Sequence, residues 1–406
     1  RFHTRWVGPF FVTFVLTQVA LYLVAWGLLL GGARAAPRPT AGAREGQDRT
    51  RLRVGAIRAL TLGFMAAPLA TLVLAALHAQ RWPGFAPALV LVLTSSVIAL
   101  GALSGPWRHR ASGPPAFVCG LTAGAIALDL LTGGRLQLSS LIGYSPIVAG
   151  RFFGVGNLAF ALLGTSALLV ASALAGAFGS RAVGIVAAIG VLTILVDGAP
   201  TLGADFGGLL SLVPAFGLLL LLASGRKLSW RGGVALAAGG MGAAVVAGLL
   251  DALRATDSQT HIGRFVTRLI EGGPAAIALV IGRKAAANWN LLTSSFLTLS
   301  IPIAVLFVAF VLMRPPSRLR IALETEAGLK AGLLAAGLMN LLGFAFNDSG
   351  IAVPAMGLAI GVPYCLATVL AIPAPAERRT ALSRAEASGD LGHTGARPVR
   401  GGGPRG

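Results

Sequence analysis

Three short polar clusters interrupt an otherwise apolar chain, and each holds an ionisable residue where hydrocarbon would be expected. They are Gly150-Arg151-Phe152-Phe153-Gly154-Val155-Gly156-Asn157, the stretch from Asp197 to Gly208, and Phe346-Asn347-Asp348-Ser349-Gly350. A charge at the centre of a membrane helix costs about 2.5–3.5 kcal/mol even on lenient insertion scales, so such residues face a cavity, pair with one another, and mark a functional site. In the first cluster, Arg151 and nearby helix-terminal amides suit an anion such as phosphate or pyrophosphate. Asn157 either joins that site or caps the helix that starts there. No strand precedes the Gly-x-Gly pattern, which excludes a dinucleotide fold.

In the second cluster, Asp197 and Asp205 bracket a Gly/Pro-rich turn that runs directly into Gly207-Gly208. Two acids flanking irregular backbone suit a lined cavity, where they could bind a cation, relay protons or act as a general base. Solvated loop carboxylates are the plain alternative. In the third cluster, Asp348 either caps the next helix or joins Asp205 in the same chemistry, with Asn347 beside it. Asp129 lies deep in an apolar run and needs a partner; Arg135 and Arg151 are the nearest basic candidates in sequence. Arg58 can snorkel to a membrane surface. His261, with Asp257 and Arg264 close by, is the only histidine near these clusters. No second His or Cys stands at ligand spacing, so no metal centre is expected. No cofactor is expected, although a divalent cation suits the acids.

These residues must be positioned by membrane helices. The chain has 406 residues, is 55% hydrophobic and 12% charged, and has a mean hydropathy of +0.79; a soluble domain carries roughly 25% charged residues. Apolar runs long enough for about 30 Å of hydrocarbon recur along it. The expected fold is an all-α polytopic bundle of about 11 spans, with re-entrant or broken segments, occupying 1–373. The expected spans are 7–32, 55–78, 85–106, 115–133, 157–178, 182–198, 206–224, 232–250, 292–313, 326–346 and 351–372. Residues 374–406 are polar and rich in Gly, Arg and Pro, the composition of a disordered tail. Between 251 and 291, Ile262, Phe265, Val266, Leu269 and Ile270 form one apolar stripe, which predicts an amphipathic helix in the interface plane. Ala275–Ile281 is too short to span.

The formal charge of +19 suggests nucleic acid, but the basic residues sit between apolar runs and form no aromatic-interleaved module, so no nucleic-acid partner is expected. Counted in alternate connecting segments, Lys and Arg divide 21 against 10. The positive-inside rule then places the N-terminus outside and the C-terminus in the cytoplasm of a bacterial inner membrane. On that topology all three clusters and the His261 segment share the extracytoplasmic face. Cys119 and Cys365 both lie inside apolar runs and offer no disulfide framework. The chain starts with Arg and shows no signal-peptide pattern, which suggests a piece of something longer.

At Arg151, Gly154, Gly156, Asn157, then Gly203, Ala204, Asp205, Gly207, Gly208, then Asn347, Asp348, Ser349 and Gly350, the sequence resembles an uncharacterised group of bacterial multi-pass membrane proteins. The likeness covers about 140–350. Some members of that group look as though an extracytoplasmic phosphatase-like domain precedes the membrane part, which implies an upstream domain as a partner. The group brings no established reaction, so the resemblance supports the site and not its chemistry.

The expected function is handling of a lipid-linked, phosphate-bearing substrate at the outer face, in envelope glycan or lipid transfer or in translocation. Asp205 and Asp348 would be the catalytic or cation-binding acids. Arg151, Asn157, Asn347, His261 and Arg264 would bind substrate, and Asp197 and Asp129 would couple cations or protons. A proton- or cation-coupled secondary transporter is the alternative; a non-catalytic anchor for an upstream enzyme is a third.

Overall fold

The computed structural model describes residues 10, 12–21, 23, 24, 27, 43–138, 140–143, 154–254, 259, 261–294, 298, 302, 306 and 317–373. Among these it is all-helical, with helices α1 (Val12–Leu21), α2 (Ala43–Ala76), α3 (Ala86–Ser104), α4 (Gly113–Leu131), α5 (Asn157–Phe178) and α6 (Ala182–Gly198). Then follow α7 (Phe206–Ala223), α8 (Trp230–Ala252), α9 (His261–Ser294), α10 (Ser317–Thr325), α11 (Leu329–Phe346) and α12 (Ala352–Ala371).

Eight segments are long and apolar enough to cross a membrane: Arg49–Ala76, Ala86–Ser104, Gly113–Leu131, Asn157–Gly198, Phe206–Ala223, Trp230–Ala252, Leu329–Phe346 and Ala352–Ala371. Asn157–Gly198 comprises α5 and α6, which fold back on one another across the short turn Gly179–Arg181. The expected span at 7–32 is described in part, as the short apolar helix α1; the span at 292–313 lies largely, and the tail at 374–406 wholly, outside the described residues.

Local sequence explains the helix starts. Pro87 opens α3 and Pro114-Pro115 opens α4, positions where a fixed φ suits the first turn and no N–H is missed. Ser229 caps α8 by accepting the Gly232 N–H at 3.1 Å. Pro68, Pro214 and Pro363 sit inside α2, α7 and α12, where neighbouring helices can re-satisfy the freed backbone groups.

Helices α5 and α12 are the most enclosed, with Phe160, Leu162, Leu168, Ile360 and Tyr364 fully or almost fully buried. Helices α3 and α8 form the outside and expose Leu89, Val92, Val97, Val234, Val246 and Leu250. Exposed apolar side chains all along a helix are a liability in water and the natural condition in lipid.

Hydrogen bonds fix the two ends of the bundle. At one end, Arg58 does not snorkel outward: its Nε donates to Ala367 O at 3.0 Å and its Nη2 to Ala111 O at 3.2 Å. There the Glu326 carboxylate accepts the Ala111 and Ser112 N–H groups at 3.3 Å, satisfying donors at the start of α4. The other end carries the three polar clusters.

Candidate functional site

The second cluster is a tight turn folded back onto the last turn of α6. Gly203 N–H donates to Val196 O at 2.9 Å, Ala204 N–H to Ala199 O at 3.0 Å, and Asp205 N–H to Asp197 O at 3.1 Å. Ala204 takes a left-handed conformation, φ 51°, which L-residues other than Gly, Asn and Asp rarely adopt. That turn aims two carboxylates at one spot. A Cβ built on Gly208 would overlap Asp197 Oδ2 and stand 3.0 Å from Asp205 Oδ2. The two Oδ2 atoms are therefore within about 5 Å of each other, a range at which two ionised carboxylates repel strongly in a low dielectric. Asp197 is fully buried and Asp205 is 8% exposed. Gly208 is thus the position that makes room for the acid pair.

The first cluster docks on that turn. Val155 N–H donates to Gly203 O at 2.8 Å. Gly154 has φ +90°, and a Cβ there would lie 2.6 Å from the same Gly203 oxygen, so this close approach requires glycine. The strap is held from its other side by Asp129. Its Oδ1 accepts the Leu136 N–H at 2.8 Å, and its Oδ2 accepts the Gln137 amide at 3.0 Å. Gln137 Oε1 in turn accepts the Gly156 N–H at 3.0 Å. The described partners of Asp129 are thus amides, and Arg135 is not among them, because the Asp129 helix ends against its own following loop. This is a structural relay from α4 to the start of α5.

The third cluster closes the site. Asn157 does not cap α5, whose N-cap is Gly156; its Nδ2 donates to Ser349 Oγ at 2.6 Å. Asn347 is 5% exposed, and its Oδ1 accepts the Asp348 N–H at 3.1 Å. That bond turns Asn347 Nδ2 inward, where it lacks a hydrogen-bond partner and lies 3.7 Å from the position a Gly207 side chain would take. Asp205 Oδ1 is 3.5 Å from that same position. Asp197, Asp205 and Asn347 therefore surround the two-glycine start of α7.

Asp348 is elsewhere. It is 70% exposed and pairs with Lys284 Nζ at 3.0 Å, and it does not cap α12, whose N-cap is Ile351. Lys284 also donates to Phe346 O at 2.7 Å, and Asn288, one turn later, donates to Phe344 O at 3.1 Å. Helix α9 is thereby fastened to the end of α11. Its start is fastened to the end of α8 by the fully buried Asp251, which accepts the Gly263 N–H at 2.7 Å and pairs with Arg254 at 3.1 Å. Both attachments are at the polar end, so α9 does not carry the chain across the bundle between them. The helix kinks at Gly273, φ 59°. Arg264 is exposed on it.

Arg151, Asp257 and the side chain of His261 lie outside the described residues. Among the described residues, no group of three or more His, Cys, Asp or Glu could hold a metal ion. Gln137, Asp251, Lys284 and Asn288 were not singled out by sequence. Asp251 and Lys284 carried the one available signal, an ionisable residue at the edge of an apolar run.

Among the described residues, the helices define an all-helical, multi-pass membrane protein whose three polar clusters gather at one end of the bundle. No protein-family model, curated protein or solved structure matches the chain.

Proposed function

We propose that the polar end binds a lipid-linked, phosphate-bearing substrate at the extracytoplasmic face, in envelope glycan or lipid transfer or in translocation. The observation that carries this reading is the convergence of Asp197, Asp205 and Asn347 at the helix ends, the depth at which lipid head groups lie. Two carboxylates at this range favour a shared positive charge, whether a proton, a divalent cation or a cationic group, and any of these can be shared with a phosphate oxygen. In this reading Asp205, with Asp197, holds that charge and Asn347 Nδ2 donates to the substrate. Arg151, His261 and Arg264 are the groups assigned to the phosphate-bearing substrate. Asn157 fixes Ser349, and Asp129 fixes the strap. Asp348 anchors α9 through Lys284, and does not join the acid pair. The N-terminus outside and C-terminus in the cytoplasm of a bacterial inner membrane follow from the excess of Lys and Arg in alternate connecting segments.

The test uses purified protein in nanodiscs, with hexadecyl phosphate and hexadecanol as probes. Preferential retention of the phosphate, lost in Asp205→Asn, is expected. Equal retention of both probes, or no effect of Asp205→Asn, refutes the reading. A second reading, a secondary transporter coupled to protons or cations, is favoured by the burial of both acids. Proton uptake into proteoliposomes that Asp205→Asn abolishes, with neither lipid preferred, would select it.

A further inference from the structure

Helices α2 and α3 pack along one another, and beside their contact each turns small residues at helical spacing toward a common groove: Ala59, Gly63 and Ala67 on one, Ala88, Ser95 and Ala99 on the other. Facing small residues in membrane helices ordinarily let the two backbones close together. Here the two helices do close, and the small residues beside their contact border a groove. A Cβ on Gly63 would meet nothing within 4 Å, and the groove, a cavity of about 770 Å³, is bounded by α2, α3 and Phe14 of α1. Protein interiors are packed almost without voids larger than a water molecule, so a groove of this size that opens on the bilayer is filled there by hydrocarbon. It lies within the roughly 300–1,000 Å³ of ligand pockets, and its lining is almost wholly apolar.

The cavity runs lengthwise along the bundle. Ala59 and Leu103 line it toward the Arg58 end, and Ala88 and Leu141 toward the polar end. Leu141 belongs to the same short loop as Gln137, whose amide holds Asp129 and the Gly156 N–H and so positions the strap against the acid-pair turn. The α3 wall is largely exposed toward lipid, giving lateral entry from the bilayer.

We infer that this cavity is a binding groove for one hydrocarbon chain of a lipid whose head group is held at the polar end. It rests on the phosphate-lipid reading for the identity of the head group, and on its own geometry for the chain. A saturated or isoprenoid chain fits the apolar lining; a polar solute would leave its hydrogen bonds unmade.

The test photolabels the full chain in nanodiscs with hexadecyl phosphate carrying a mid-chain diazirine, and with the matching alcohol. Adducts of the phosphate probe should map to peptides around Gly63 and Ala99. Labelling there should fall to the level at lipid-facing Val246 in Gly63→Phe, which fills the groove. Ala88→Phe, on the exposed wall, carries the same test should Gly63→Phe fail to fold. Labelling spread evenly over the outer faces of α3 and α8, unchanged by both substitutions, overturns the groove. Groove labelling equal for phosphate and alcohol, and unaffected by Asp205→Asn, upholds the groove while removing the head-group reading. Phosphate preference with adducts elsewhere does the reverse.

Discussion

Adding one methyl group at Gly208 tests the acid pair most directly. In Gly208→Ala the new Cβ would overlap Asp197 Oδ2 and stand 3.0 Å from both Asp197 Cγ and Asp205 Oδ2. Neither acid can retreat freely: Asp197 is fully buried, and Asp205 is tied through its N–H to the Asp197 carbonyl. Overpacking of this kind costs about 1–3 kcal/mol. Against it, alanine is better than glycine inside a helix by roughly 0.5–1 kcal/mol. The two terms are separable with Gly242→Ala in α8, where a Cβ meets nothing within 4 Å. Both substitutions share the helix-propensity gain, so their difference isolates the steric cost at the acid pair, again about 1–3 kcal/mol. Denaturant unfolding in one detergent, comparing midpoints at equal slope, reads that difference. Phosphate-probe retention should fall in Gly208→Ala and stay unchanged in Gly242→Ala. If the two variants are equally stable and both retain the probe, the carboxylates do not converge on Gly208.

Asn157→Ala and Ser349→Ala should couple by about 0.5–1.5 kcal/mol in a double-mutant cycle on unfolding, since one hydrogen bond joins them; additivity would deny the link between the first and third clusters. Asp251→Ala leaves the Gly263 N–H and Arg254 without their carboxylate, at about 1–3 kcal/mol, and should raise amide hydrogen exchange at the start of α9 while sparing α5; unchanged exchange at 263–270 would contradict the anchor. Lys284→Ala should loosen the junction of α9 with α11 more than Asp348→Asn does. The ion pair is exposed and worth about 0–1 kcal/mol, whereas the lysine also holds the Phe346 carbonyl; equal protease sensitivity of the two variants would refute that asymmetry.

The sequence alone determined the membrane-helix class, because apolar length and the placement of charge are one-dimensional properties that lipid reads directly. It also marked Asp197, Asp205, Asn347 and Gly207-Gly208, since irregular polar backbone between spans is visible as composition. Only the tertiary structure decided which acids meet. Asp205 was matched in sequence with Asp348, but the turn through Ala204 faces it toward Asp197, and Lys284, 64 residues earlier in the chain, draws Asp348 outward. Asp129 needed a partner, and the loop after its own helix supplies two amides. Asn157 looked equally like a cap and a site residue; the structure makes Gly156 the cap and sends the Asn157 amide to Ser349, 192 residues away. The groove bounded by α1, α2 and α3 was likewise invisible, because alanines, glycine and serines at helical spacing are the pattern of helices that pack closely, and only the tertiary structure shows which of them border the contact and which the groove. Hydropathy is summed along a chain, whereas hydrogen-bond pairing and empty volume are set by which ends of which helices the bundle brings together.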